Sequence, residues 1–296
     1  MELKMKSIKG MTLALLMLIA AMAGCIGTED ETSDGAEEEK PAFLDASDAG
    51  YTYASDVDNH RSLMQDLCDI KTAASDSNWD EAKNIYTNGK NAQKSDGSYR
   101  TLAGFAAASG KNHNYDSFYG QDGAIGAHIM AAMDGTGDFT GASDTVRYQG
   151  IAKLTANMGM VGYTIHELNA AVAKADAGNT DNDSGAPHNW DEGWAFFHGP
   201  DEHWSCSPAY TMKKRAADYG TETNGVSNAL AASEQAMVDG LAALQAGDKA
   251  GYDAATETVI KNIIITYSQA TLKYTMKMDN NESAAKYQAE GYAFWK

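Results

Sequence analysis

Apolar side chains recur at intervals of three to five residues over long stretches of this chain. Between Ser143 and Lys174 they fall at Val146, Ile151, Leu154, Met158, Val161, Ile165, Leu168 and Val172. That spacing lines one face of a helix and is not the alternation of a strand. Similar patterns predict helices over 57–73, 122–134, 224–246 and 249–278. The whole chain has 4 prolines among abundant Ala and Met, which fits, because Pro breaks a helix and Ala costs it least. The expected fold is all-α, with turns rich in Gly and Asn.

A motif recurs within this pattern. Asn78-Trp79-Asp80-Glu81 returns as Asn189-Trp190-Asp191-Glu192, and a weaker copy around Glu290 closes the chain. Arg100 follows the first copy and Arg215 the second, and Tyr119-Gly120 is matched by Tyr219-Gly220. Self-similarity at this scale marks repeated architecture. It predicts two diverged helical-bundle modules, about 57–175 and 176–296, related by a pseudo-twofold.

The first residues break the pattern. A short basic stretch is followed by an apolar run from Met11 to Ala23 and then Gly24-Cys25. Basic residues, a short apolar core and small residues before a cut describe a secretory signal peptide. The run is too short to cross a hydrocarbon core of roughly 30 Å as a helix. Met22-Ala23-Gly24-Cys25 resembles a lipobox, so residues 1–24 are read as a lipoprotein signal and Cys25 as the lipid anchor. Residues 25–50 then form an acidic tether, with no apolar side chain larger than Ala between Thr28 and Lys40; such a segment cannot bury enough surface to offset its ordering entropy. The remaining 51–296 form the folded part, held extracytoplasmically at the outer face of the membrane.

Charge and cysteines narrow the partners. A net charge of −18 argues against nucleic acid as a ligand. Cys68 and Cys206 remain after the anchor, and an oxidising compartment permits but does not require their pairing. No Gly-x-Ser-x-Gly elbow, P-loop, Rossmann fingerprint, Cys-x-x-Cys pair or His-Glu-x-x-His is present, and no enzyme is expected.

Candidate chemistry lies in the repeated carboxylates and the histidines. Glu81, Glu192 and Glu290 each sit among small and aromatic residues, and a carboxylate so placed needs a partner. That partner is either the arginine that follows, Arg100 or Arg215, or a hard cation. Tyr86 follows the first motif, Tyr163, His166 and Glu167 lie on the long helix, and His198 follows the second motif. Oxygen donors with occasional imidazole suit Fe(III). His60 and His128 read as packing or capping residues.

Three stretches carry a resemblance. Ile85-Tyr86-Thr87-Asn88-Gly89 with Arg100-Thr101-Leu102, Trp194-Ala195-Phe196-Phe197-His198-Gly199 with Lys214-Arg215-Ala216, and Glu290-Gly291-Tyr292-Ala293-Phe294-Trp295 resemble ordered motifs of the algal iron-assimilation family. That family comprises low-iron-inducible periplasmic proteins and is related to phytotransferrin domains. The resemblance implies ferric iron as ligand, with carbonate as a synergistic anion held by Arg100 or Arg215, and an iron transporter as partner. The metal candidates are then Glu81, Glu192, Glu290, Tyr86, Tyr163, His166, Glu167 and His198. The competing expectation is a surface adhesion or assembly scaffold, in which the motifs only pack the core.

Overall fold

Several helices start on a short polar side chain that accepts a hydrogen bond from the first turn, satisfying a backbone N–H that would otherwise lack a partner. Asn78 accepts from the Glu81 amide at 3.3 Å, Ser207 from Tyr210 at 3.2 Å, Ser227 from Leu230 at 3.2 Å and Asp248 from Gly251 at 3.2 Å. The computed structural model describes residues 48–108, 114–279 and 282–296. The signal segment, Cys25 and the tether up to residue 47 lie outside them.

The helices run in order α1 (Asp58–Arg61), α2 (Leu63–Ser75), α3 (Trp79–Asn88), α4 (Leu102–Ala106), α5 (Asn114–Tyr119), α6 (Ala124–Asp134), α7 (Asp144–Lys153), α8 (Met160–Asp176), α9 (Ala186–Phe197), α10 (Pro208–Tyr219), α11 (Asn228–Ala246), α12 (Lys249–Lys277) and α13 (Ala284–Trp295). The fold is all-α as expected. The strands among the described residues are β1 (Glu222–Thr223) and β2 (Val226–Ser227), paired antiparallel with Glu222 opposite Ser227. Asn224 and Gly225, with φ of 54° and 78°, supply the positive-φ turn that joins them. The helix predicted over 143–174 is interrupted. A π-helical stretch, Leu154–Gly159, separates α7 from α8 and shifts the register of everything after it.

Two large apolar clusters fill the interior, with a small third one of Ala270, Tyr274 and Phe294. One gathers side chains of α2 to α8, including Leu63, Ile70, Ile129, Ile151 and Tyr163, and takes in Phe196 and Ala293 from later in the chain. The other gathers α8 to α12 around Trp190, Trp194 and Met237, and takes in Tyr51 and Tyr53 from the start. Residues 41–296 form one compact unit. A disulfide joins Cys68 of α2 to Cys206, with 5.5 Å between the Cα atoms, and so ties α2 to the approach of α10.

The motif copies occupy different places in their helices. Asn78 is the N-cap of α3, which puts Glu81 at its third position, where a carboxylate favours the helix start. Asn189 and Glu192 lie inside α9, which begins earlier, at Ala186. Trp190 explains one close approach: its ring is fully buried, its Nε1 donates to the Met237 carbonyl at 2.8 Å, and α11 passes over it at Gly240. A Cβ at Gly240 would stand 2.2 Å from Trp190 Cζ2. Gly240→Ala is therefore expected to lower stability by about 1–3 kcal/mol in a denaturant melt, through overpacking of an unyielding ring.

Candidate functional site

Two helices meet at a glycine. A Cβ at Gly193 of α9 would be 3.1 Å from Leu168 Cδ2 and 3.8 Å from Glu167 Cβ, so the bare glycine lets α9 lie close against α8. Tyr163, His166 and Glu167 project from α8 at helical spacing, and His188, Asn189 and Glu192 from α9. The close approach brings the two sets together.

Glu192 is the centre. Its Oε1 lies 3.1 Å from His60 Nε2 and 3.2 Å from His188 Nε2. The Glu167 carboxyl lies beside it. Asn189 Nδ2 donates to Glu167 Oε2, and His166 Nε2 is 4.0 Å from Glu167 Oε1. Tyr163 lies within electrostatic reach of Glu167, Glu192 and Arg100. Side-chain exposure is 4% at His60, 14% at Glu192 and 25% at His188, so the cluster opens to solvent along its His188 edge.

The two imidazoles are held in different states. Burial pushes His60 down to about 4 against the pull of Glu192, so it is neutral at neutral pH. The hydrogen bond to Glu192 raises His188 despite its partial burial. On the other side of the ring, His188 Nδ1 lies 2.8 Å from Ser55 Oγ, which is also 2.9 Å from Asp191 Oδ2. Both imidazole nitrogens of His188 therefore have partners. Burial would raise Glu192, but the hydrogen bond from His188 and the charges that His60 and His188 both carry at the acid pH where Glu192 titrates hold its carboxyl below the ordinary range. The phenol of Tyr163 is pushed up by burial and by the two glutamates.

A second carboxylate positions the set. Asp191, fully buried, accepts from Tyr51 Oη at 2.8 Å, from the Ala54 and Ser55 amides at 2.8 Å each, and from Ser55 Oγ. It pins residues 51–55 onto α9, and that segment leads directly into α1 with His60. Several buried atoms at the site have no hydrogen-bond partner: His60 Nδ1, Arg100 Nε, Asn189 Oδ1 and Asn59 Oδ1.

The remaining sequence candidates lie elsewhere. Glu81 stays at the start of α3, and Tyr86 is packed in the core with its hydroxyl unpartnered. His198 is stacked between Trp194 and Trp204, at 5.1 and 5.6 Å, and donates from Nδ1 to the Gly199 carbonyl at 2.7 Å. Glu290, also buried, is hydrogen-bonded to Tyr274 near Arg215, whose Nε pairs with Asp218 at 2.8 Å. Glu81, Glu192 and Glu290 thus do not converge, and Arg100 is the arginine found at the Glu192 cluster. His60, His188 and Asp191 are the residues that sequence reasoning did not single out. The i, i+4 spacing of His188 and Glu192 was the available signal for one of them. His60 joins through long-range packing alone.

Among the described residues, no group of three or more His, Cys, Asp or Glu is arranged to hold a metal ion. The Nε2 atoms of His60 and His188 are both directed at Glu192 Oε1 itself. The donor set nevertheless suits a hard cation: carboxylates, imidazoles and a phenol beside an arginine.

A model of the family described as low iron-inducible periplasmic protein matches residues 42–294. The chain belongs to that family. Its description makes these proteins periplasmic and induced by low iron, which implies a part in iron assimilation, and it names no enzymatic activity. No curated protein and no solved structure gives a significant match. The matched span contains every residue of the Glu192 cluster. No helix among the described residues is long and apolar enough to cross a membrane.

Proposed function

We propose that this protein binds ferric iron as cargo outside the cytoplasm and keeps it near the membrane for uptake. The observation that carries this is Glu192, a partly buried carboxylate between two imidazoles and beside a second carboxyl, in a chain of a low-iron-induced family. Glu192, Glu167, His60, His188 and Tyr163 are the donors, with His166 beside them. Ligands must be deprotonated to bind, so the cation displaces protons that these groups hold in the metal-free protein. The Tyr163 phenol resists ionisation, which only a strongly acidic cation overcomes. Arg100 offers an unpartnered guanidinium Nε for an anion such as carbonate beside the metal. Glu81, Glu290, Tyr86, His198 and Arg215 have no part in this centre. Lipidation of Cys25 and the acidic tether would hold the domain at the membrane, where a transporter takes the iron.

The test is titration of the purified protein with chelated Fe(III) in bicarbonate buffer, following bound iron and released protons together. About one iron is expected, with release of at least one proton, that of the Tyr163 phenol, which must ionise to bind. His188 is raised above its ordinary value, so it competes with iron at and below neutrality. Affinity should strengthen as pH rises through the neutral range and weaken as it falls. Iron no higher than on an unrelated acidic protein would show the motifs to be packing only, as in a scaffold.

A further inference from the structure

A cavity of about 310 Å³ lies between the β1–β2 hairpin, the start of α11 and the segment ahead of α10, within the roughly 300–1,000 Å³ over which small-molecule sites are found. Its walls come from separate elements. Leu230 and Glu234 stand one turn apart on α11, Val226 comes from β2, Lys213 from α10, and Trp204 and Asp201 from the segment that precedes α10. Two of these walls are fixed from outside. Trp204 is stacked on His198 at 5.6 Å and meets the edge of Tyr210 at 5.1 Å, and Cys206, two residues on, is held by the disulfide. Asp201 Oδ1 accepts from the Ala49 amide at 2.9 Å.

Charge and aromatic surface in the cavity both favour a cation. Asp201 and Glu234 give it two carboxylates against one ammonium, that of Lys213. Burial pushes His198 down, so its ring adds no charge at neutral pH. Glu234 is half-buried, and no cation of the described residues lies within ion-pair distance of it. Burial and then the charge of Asp201 push its carboxyl up, as expected of a carboxylate short of counter-charge. The indole face already takes an ammonium: Lys213 Nζ lies 5.1 Å from the Trp204 ring centre, within the range at which a ring attracts a cation. Lys213 is exposed, and its flexible stem lets it leave the ring for solvent. Val226 and Leu230 offer apolar surface beside these charges.

We propose that this cavity binds a small organic ammonium ion, a primary amine in its cationic form on an apolar body. The ammonium takes the place of Lys213 at Trp204 and pairs with Glu234, Asp201 adds attraction, and the carbon skeleton lies on Val226 and Leu230. The site shares no residue with the Glu192 cluster, so its occupation is measurable without iron and stands or falls separately from the iron reading.

Calorimetric titration of the purified protein with phenethylamine at neutral pH tests it, with phenethyl alcohol and phenylpropionate as neutral and anionic probes of similar shape. Saturable one-to-one binding of the amine, and none of the other two, is expected. Glu234→Gln keeps the shape of the side chain without its charge and should weaken the amine about tenfold or more, the loss of a charge-assisted hydrogen bond. It should melt no lower than wild type, because the carboxylate it neutralises has no counter-charge in the ligand-free protein. Lys213→Met frees the indole face and should tighten binding about two- to fivefold. Glu257→Gln makes the same change of charge as Glu234→Gln at an exposed position of α12 and should leave binding unaltered. Lys213 is exposed, so its variant carries the test if Glu234→Gln is unfolded. The proposal is overturned by absence of saturable amine binding, by equal binding of the alcohol or the carboxylate, by unaltered binding in folded Glu234→Gln, by equal weakening in Glu257→Gln, or by weaker binding in Lys213→Met.

Discussion

Glu192→Ala is expected to abolish ferric-iron binding, weakening it about a hundredfold or more, while the protein remains folded. Truncation removes the carboxylate that both imidazoles address. Glu192→Gln separates charge from shape. It keeps an oxygen to accept from one imidazole but removes the charge that raises His188, so His188 should titrate at lower pH. The measurements are iron titration, histidine titration by NMR, and the melting temperature with and without iron. A ligand present at about 100 times its dissociation constant raises the stability of the native state by about 2.7 kcal/mol, so iron should raise the wild-type midpoint and not that of Glu192→Ala. If Glu192→Ala binds iron as wild type does, the cluster is structural.

Asp191→Ala should be the most destabilising single substitution at the site, costing about 3–5 kcal/mol in a denaturant melt. Four donors lose their acceptor at once: Tyr51 Oη, the Ala54 and Ser55 amides, and Ser55 Oγ. The segment they hold carries the chain to His60, and Ser55 itself positions His188, so iron affinity should fall although Asp191 never touches the metal. Asp191→Asn should cost less, about 1–2 kcal/mol, since an amide oxygen can still accept from the backbone pair. The sign of the pH effect separates the two further. Burial raises Asp191 to about 6, more than its hydrogen bonds lower it. Ionising it is therefore harder in the folded protein than in the unfolded chain. That contribution to stability is fully present below the ordinary carboxylate value and is lost as pH rises through about 6. Asn does not ionise, so the gap between wild type and Asp191→Asn should narrow from acid to neutral pH.

The helices were legible because their apolar spacing is local. Those predicted over 57–73, 122–134, 224–246 and 249–278 correspond to α1 and α2, α6, α11 and α12. The π-helical stretch inside the long helix was not legible, since Leu154–Gly159 contains no proline and the apolar spacing runs through it without a break. The motif copies read alike as strings, but capping decides their use: Asn78 ends a turn and starts α3, whereas Asn189 falls within a helix already begun at Ala186.

At the site, Glu192, Glu167, Tyr163, His166 and Arg100 were candidates by residue type. Their grouping, and the exclusion of Glu81, Glu290, Tyr86, His198 and Arg215 from it, depended on where the helices pack. His60 illustrates the limit. As a lone histidine before an apolar run it has a packing explanation, and only the Asp191 anchor on residues 51–55 carries it across to α9.

Secondary structure, family membership and the types of donor available were determined by the sequence itself, because each depends on spacing within a few turns or on short ordered motifs. Which carboxylate meets which histidine and whether Cys68 reaches Cys206 were decided only by the tertiary structure. Those are contacts between residues as much as 138 positions apart, and their geometry depends on close approaches, such as that of α8 and α9 at Gly193, that no local pattern encodes.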